Sequence, residues 1–169
     1  MEYLLSNIDL KTLLYHADTE LEKCEKIKFQ RMNSWRKEFI PDFPGVYALY
    51  EKVGSEYILL YIGETGNLRE RMSDICRTVN HTFRRQLGKK RFSGIITSKK
   101  FEFKTESLLD VFFDEDLYIS FLKVNFGRSE IESYLITKYQ KILLNSEIKR
   151  KLKIELENYP IIDVTTTVE

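Results

Sequence analysis

Residues 45–63 of this chain are GVYALYEKVGSEYILLYIG, and this stretch decides the fold. β-Branched and aromatic residues lie on both sides of Val53-Gly54-Ser55, which is the composition of a β-hairpin with its turn at the glycine. Residues 117–124, LYISFLKV, have the same composition and predict a third strand, with residues 108–113 as a further strand candidate before it. The sequence therefore predicts a small, mainly antiparallel sheet.

A turn centred on Gly54 also predicts the register of the hairpin. Tyr47 would lie opposite Tyr61, and Gly45 would lie opposite Gly63. Directly opposed residues lie on the same side of a sheet, with Cβ atoms roughly 5 Å apart. Two phenols would then stand side by side, next to glycines that leave the backbone open to close approach.

Helices are predicted around this sheet because apolar residues recur with a period near 3.6. The longest predicted helix covers residues 8–39 and is ended by Pro41. Further helices are expected from Asn67 onward, at 81–87, at 129–145 and at 147–158. We therefore expect an α/β (α+β) fold, a three-stranded sheet flanked by helices, with an N-terminal helical extension (1–42), a central domain (43–146) and a C-terminal helical segment and tail (147–169).

Composition narrows the class of protein. The length of 169 residues fits one ordinary domain, and 43% apolar with 31% charged residues excludes a disordered chain. No apolar run approaches the ~18 residues that span a bilayer, so we expect a soluble, cytoplasmic protein with no membrane partner. Cys24 and Cys76 stand alone in the sequence, which argues against a disulfide framework and a zinc site.

The charge of the chain is unevenly distributed. From Ile75 to Phe101 there is no Asp or Glu, and eight residues are basic. This acid-free run carries +8 and leaves −7 for the rest of a chain whose net charge is +1. A cationic segment of this kind is typical of a surface that binds nucleic-acid phosphates. The residues that we expect to bind nucleic acid are Arg77, His81, Arg84, Arg85, Lys89, Lys90 and Arg91.

Two other charged residues have apolar neighbours on predicted helices. Arg71 lies at the edge of the apolar stripe of the helix that starts near Asn67, from which its guanidinium could reach the hairpin. Glu132 falls inside the apolar stripe of a later helix. Both residues also have structural interpretations. Arg71 could extend along the stripe to solvent, and Ser129 with Glu132 has the spacing of a helix capping box.

A Gly-Val-Tyr strand, a Tyr-Ile-Gly strand, an arginine eight positions after the second glycine and an acid in a later helix resemble the GIY-YIG nuclease family. Tyr47 and Tyr61 stand for its two signature tyrosines, Arg71 for its helix arginine and Glu132 for its metal-binding glutamate. Asn145 is the nearest match to the asparagine that ends the family's core, although it comes one residue late.

The resemblance covers roughly residues 43 to 146 and implies a divalent-metal-dependent endonuclease that hydrolyses DNA phosphodiester bonds, of restriction or mobile-element type. Its catalytic residues would be Tyr47, Tyr61, Arg71 and Glu132, with Glu132 holding Mg²⁺ or Mn²⁺ and with Gly45, Gly63 and Asn145 as supporting residues. The arginine would stabilise charge on the phosphorane and a tyrosine would act as general base. Which tyrosine is the base stays open at this point.

Two other functions also fit the sequence. A nucleic-acid-binding module could keep this fold without cutting, and a protein-interaction domain could use the tyrosines only as a cross-strand aromatic pair. The complete set of tyrosines, arginine and glutamate favours the enzyme. We recognise no zinc finger or helix-turn-helix that would read bases, and the protein would act on DNA as a monomer or a homodimer.

Overall fold

The computed structural model describes residues 7–145. In chain order the elements are α1 (Asn7–Lys23), β1 (Ile27–Lys28), α2 (Asn33–Phe39), β2 (Gly45–Val53), β3 (Glu56–Thr65), α3 (Leu68–Asp74), α4 (Thr82–Phe92), β4 (Ile96–Thr97), β5 (Lys100–Phe101), α5 (Phe103–Glu115), β6 (Leu117–Lys123) and α6 (Arg128–Tyr139). No helix in this part of the chain is long and apolar enough to cross a membrane. The helical segment expected at 147–158 lies outside the described residues.

Four strands form the main sheet in the order β1-β6-β2-β3, and every neighbouring pair is antiparallel. The strands β4 and β5 pair separately as a small hairpin. The α/β fold with a mainly antiparallel sheet is therefore confirmed, with one strand more than expected. The additional strand is the two-residue β1, in which Ile27 pairs with Ile119 of β6.

The register of the β2–β3 hairpin differs from the prediction by two residues. Val53 lies opposite Glu56, so that the turn has two residues and not three. A bulge then adds Leu60 to β3, because Leu49 pairs with Tyr61 while the next residue of β2 pairs with Leu59. Each one-residue shift would turn a side chain to the other face of the sheet, and the two shifts together restore the predicted face.

Helices cover both faces of the sheet. Tyr47 and Leu49 of β2 point into a core formed with α2, α3, α4 and α5, whereas Val46 and Ala48 point into a second core formed with α1 and α6. The first six residues of β2 are all buried, which is the pattern of a strand covered on both sides. The start of β2 and the end of β3 therefore lie where side chains from both layers can meet.

The N-terminal region is not the single helix that the periodicity predicts. α1 ends at Lys23, and α2 begins only at Asn33. Phe29 and Trp35 are buried in the core, where Phe29 makes edge contacts with both Trp35 and Phe113. Burial of these large aromatic side chains overrides the local helical pattern.

Two further predictions from the sequence are wrong. Residues 108–113 belong to α5, because a short apolar run does not distinguish a strand from a buried helix. The helix expected to stop at Gly88 continues to Phe92. Gly88 is needed inside this helix, because an added Cβ would overlap the ring of Phe101.

Candidate active site

The two signature tyrosines lie diagonally on one face of the sheet. Their rings are stacked, with centroids 6.3 Å apart and planes inclined by 27°. Tyr47 is 1% exposed and Tyr61 is 9% exposed. The residue directly opposite Tyr47 is Gly63, and a Cβ at this glycine would overlap the Tyr47 phenol. The missing side chain at Gly63 therefore allows the Tyr47 hydroxyl to lie over β3.

Gly45, at the start of β2, has a different role. An added Cβ would overlap the backbone carbonyl of Leu122 in β6 and the side chain of Leu68 in α3. This glycine lets β2 and β6 lie close beneath the first turn of α3. The helix that it contacts carries Arg71, the candidate arginine.

His81 is buried and forms a hydrogen bond with Tyr47. It is the N-cap residue of α4, where its Nδ1 accepts a 3.1 Å hydrogen bond from the backbone N–H of Phe83. A nitrogen that accepts cannot carry the proton of the neutral imidazole, so the proton is on Nε2. Nε2 therefore donates to Tyr47 Oη, at 2.7 Å. At 2% exposure, His81 is not placed to contact a nucleic acid at the surface as predicted, and it contacts Tyr47 instead.

Burial controls the protonation of these groups. It raises the pKa of Tyr47 well above its ordinary value and that of Tyr61 to about 12, and the charge of Arg71 partly opposes both shifts. Burial lowers the pKa of His81 to about 3, and the charges of Arg71 and Arg85 add to this shift. The imidazole is therefore neutral at neutral pH, as the direction of its hydrogen bonds requires.

Arg71 and Arg85 bring positive charge to the tyrosines. Arg71 lies in the last turn of α3, and its Nε is buried without a hydrogen-bond partner among the described residues. Arg85, on the first turns of α4, donates to the backbone carbonyl of Val79 at 3.2 Å and to the Thr82 hydroxyl at 3.3 Å. Both charges partly oppose the rise that burial causes in the pKa of Tyr61.

Glu132 reaches the outer edge of β3 from α6. Its Oε1 accepts a 3.2 Å hydrogen bond from the backbone N–H of Glu64. The capping-box interpretation is wrong, because α6 has its N-cap at Gly127 and Glu132 lies beyond the N3 position. Burial, followed by the charge of Glu64, raises the pKa of Glu132 to about 7.

Glu64 places a second carboxylate beside Glu132. Arg128, in the first turn of α6, forms an ion pair with Glu64. Its Nε donates a 3.2 Å hydrogen bond to Glu64 Oε2. Sequence reasoning missed both residues. The position of Glu64 directly after Tyr-Ile-Gly was a usable signal, whereas nothing in the local sequence marked Arg128.

The remaining part of the outer β3 edge is occupied by the chain after α6. Leu144 donates its backbone N–H to the carbonyl of Leu60 at 2.7 Å. The Asn145 side chain forms two hydrogen bonds with Ile62, donating to its carbonyl at 2.7 Å and accepting from its N–H at 3.1 Å. The Asn145 amide thus bonds to the outer edge of β3 as the backbone of a neighbouring strand would.

The acid-free run does not form one continuous basic surface. Arg84 is 2% exposed and pairs with Glu106 at 2.7 Å and Asp110 at 2.8 Å. The prediction that Arg84 contacts nucleic acid is therefore wrong, because acids that follow the run in sequence neutralise it in the core. Arg91 is also paired, at 2.7 Å with Glu51.

The other cations of the run remain on the surface. Arg77, Lys89 and Lys90 are exposed, and within residues 7–145 none of them forms an ion pair. Lys89 is four residues after Arg85, which places the two on the same side of α4. The structure thus leaves a basic surface that begins at the tyrosine pair and follows this helix.

Comparison with known proteins identifies the family. The family model described as the GIY-YIG catalytic domain matches residues 47–159, which is 113 of the 169 residues of the chain. Comparisons with curated proteins and with solved structures gave no match. The match begins at Tyr47 and includes Tyr61, Arg71 and Glu132, the residues that carried the resemblance. The chain therefore belongs to the GIY-YIG nuclease family.

Proposed function

We propose that this chain is a divalent-metal-dependent endonuclease that cuts DNA, of the restriction or mobile-element type. The observation that carries this proposal is the convergence of five side chains at one end of the β2–β3 pair. Tyr47 and Tyr61 stack, His81 lies against both rings, and the charges of Arg71 and Glu132 act on both phenols. Phosphodiester hydrolysis requires a base, a cation at the phosphate and an anchor for a metal.

We assign the general base to Tyr47. The Nε2–H of His81 donates to its oxygen, and a hydrogen bond of this direction stabilises the phenolate. The charge of Arg71 favours the phenolate as well. The Tyr61 hydroxyl has no hydrogen-bond partner among the described residues, which suits a role in orienting the attacking water. Tyr47 would accept the proton that this water loses.

Arg71 would bind the scissile phosphate. Its buried Nε–H is unpaired within the described part of the chain, and such a group costs about 1–3 kcal/mol. A phosphate oxygen would accept this hydrogen bond. The same guanidinium would then face the negative charge that develops on the pentavalent phosphorus.

Mg²⁺ or Mn²⁺ fits the donors that Glu132 and Glu64 provide. The backbone N–H of Glu64 orients Oε1 of Glu132. The other carboxylate oxygen of Glu132, Oε2, accepts no hydrogen bond from the described residues. No group of three or more His, Cys, Asp or Glu suited to a metal occurs within residues 7–145. In the proposed complex, water and substrate oxygens would supply the other ligands of the ion. When bound, it would neutralise the phosphate and stabilise the leaving oxygen.

The test is nicking of supercoiled plasmid by the full chain with Mg²⁺, with Mn²⁺ and with chelator. We expect nicking with either metal and none with chelator. Glu132→Gln should reduce nicking to background, because the neutral amide does not attract the cation. Glu130→Gln is the matched control, since Glu130 is an exposed acid on the same helix, and it should nick at the wild-type rate.

Three outcomes separate the alternatives. Cleavage that persists in chelator would contradict the metal requirement. Glu132→Gln that nicks like wild type would contradict the metal site. A wild-type protein that binds plasmid without nicking it under any condition would support the non-cleaving nucleic-acid-binding module.

A further inference from the structure

The β4–β5 hairpin has an unusual turn. Thr97 pairs with Lys100, so the turn contains only Ser98 and Lys99. Both residues have positive φ, 54° and 97°, which is the pattern of a type I′ turn whose preferred sequence is Asn-Gly. A lysine therefore occupies a position that favours glycine, and backbone strain of this kind is concentrated at functional sites.

Exposed apolar and basic residues surround this hairpin, together with the carboxylate of Glu102 at its base. Phe103 is 88% exposed and Ile95 is 71% exposed, the first and third most exposed large hydrophobic residues in the described part of the chain. The Ile95 N–H donates to Glu102, the residue before Phe103, so the two apolar residues flank the hairpin base. Lys99, Lys100 and Lys104 are exposed around them, and within residues 7–145 none of these lysines forms an ion pair.

The position of the hairpin relative to the tyrosines follows from α4. The N-cap of this helix, His81, lies beside Tyr47, and the helix ends at Phe92, where the chain continues into the hairpin. Phe101 of β5 packs against Gly88, so the hairpin lies beside the C-terminal half of the helix. At about 1.5 Å per residue, this half lies roughly 9 to 16 Å along the axis from the N-terminus of α4.

We propose that the β4–β5 hairpin and the first turn of α5 form a second contact with duplex DNA, away from the cleavage site. Lys99 and Lys100 would bind the phosphate backbone, and Phe103 with Ile95 would pack against the sugar or base edges. With α4 lying along the duplex axis in the proposed complex, and at about 3.4 Å per base pair, the contact would lie about three to five base pairs to one side of the scissile phosphate. This inference rests on the proposed DNA endonuclease function.

The salt dependence of binding tests the lysines. Affinity of the full chain for a 30-base-pair duplex is measured in chelator over a series of salt concentrations. Lys99→Gln with Lys100→Gln should reduce the slope of log affinity against log salt by about 1.8, which is about 0.9 per phosphate contact. Lys28→Gln with Lys37→Gln removes two exposed lysines elsewhere and should leave the slope unchanged. Equal slopes for the two double variants would overturn the proposal.

The backbone strain at Lys99 allows a second test, in which melting temperature and DNA binding are measured for two variants of this residue. Lys99→Gly relieves the positive φ and should raise the melting temperature by about 2 °C while weakening DNA binding. Lys99→Gln keeps the strain and should weaken binding equally without raising the melting temperature. If Lys99→Gly binds DNA like wild type, the lysine has no part in binding and the proposal fails.

A photo-crosslinking amino acid at position 103, in the Glu132→Gln background, tests the distance. The same end-labelled duplex is cut with wild type, so that cut and crosslink are read on one gel. We expect crosslinks about three to five base pairs from the cut, on one side. Uniform or absent crosslinking, with normal nicking by the wild type, would overturn the hairpin contact and leave the nuclease intact. A wild type that neither binds nor nicks would instead contradict the proposed function.

Discussion

At the scale of single residues, the buried hydrogen bond between Tyr47 and His81 distinguishes the two signature tyrosines. The bond orients the Tyr47 oxygen, and the backbone N–H of Phe83 determines which histidine nitrogen carries the proton. Tyr61 contributes its ring to the same stack but not its hydroxyl to any hydrogen bond within the described residues. The two phenols are therefore equivalent in the sequence motif but differ in their hydrogen bonding.

Replacement of each tyrosine by phenylalanine should separate these roles. Tyr47→Phe should slow plasmid nicking by at least ~100-fold, the lower range for loss of a general base. It should also lower the free energy of unfolding by about 1–3 kcal/mol, because the buried His81 Nε2–H loses its acceptor. Tyr61→Phe should change that free energy by less than about 0.5 kcal/mol, and should slow nicking by less. The measurements are nicking rates and urea unfolding, and a Tyr61→Phe variant that is the slower of the two would reverse our assignment of the base.

At the scale of elements, β3 is shaped by the groups on its two sides. The bulge at Leu60 sets the register that puts Gly63 opposite Tyr47. On its outer edge, Asn145 bonds to Ile62 and Glu132 bonds to the next outward-facing N–H. The strand is thus held by side chains from α6 and the segment after it, where an edge strand would otherwise present unpaired backbone groups.

Replacement of Gly63 by alanine should impair the protein, whereas replacement of Gly66 by alanine should not. Gly63→Ala should abolish nicking and destabilise the fold by about 1–3 kcal/mol, the range for overpacking a core, because its Cβ overlaps the Tyr47 phenol. Gly66→Ala, three residues later, is the control, since no atom lies within 4 Å of its added Cβ. We expect wild-type thermal stability for Gly66→Ala. A Gly63→Ala variant that nicks normally would show that the Tyr47 oxygen does not need its position over the strand.

At the scale of the whole molecule, charge is divided between the interior and the surface. The two neighbouring arginines of α4 illustrate this division. Arg84 is buried against Glu106 and Asp110 and lies over the Phe113 ring, whereas Arg85 stays partly exposed and its charge acts on Tyr61. An arginine count alone therefore overestimates the charge available to DNA.

Replacement of Arg84 or Arg85 by glutamine should distinguish the buried arginine from the one at the surface. Arg84→Gln should lower the free energy of unfolding by about 3 kcal/mol, because it removes a buried cation and leaves the Glu106 carboxylate without its ion pair, while Asp110 keeps its ion pair with Arg31. Arg85→Gln should leave stability within about 0.5 kcal/mol of wild type and reduce the salt slope of DNA binding by about 0.9. Urea unfolding and salt-dependent binding measure the two effects. If Arg84→Gln is as stable as wild type, the network does not stabilise the fold.

The family and its chemical groups could be predicted from the sequence, because they depend on local spacing. Gly-Val-Tyr and Tyr-Ile-Gly flank a turn in one hairpin, and Arg71 follows within the next helix. The composition of the strands and the face shared by the tyrosines are local properties too, since side chains alternate with a period of two. Even with a register wrong by two residues, the tyrosines were placed on the correct face.

Only the tertiary structure decided the register, the partner of each charge and the direction of the hydrogen bonds in the site. The pair of Asn145 with Ile62 joins residues 83 positions apart, and Arg84 is paired with acids 22 and 26 positions away. These partners are selected by packing of separate elements and by the cost of leaving a buried polar group unpaired. Such a cost depends on which atoms exclude water around the group, and that is determined by the folded chain as a whole.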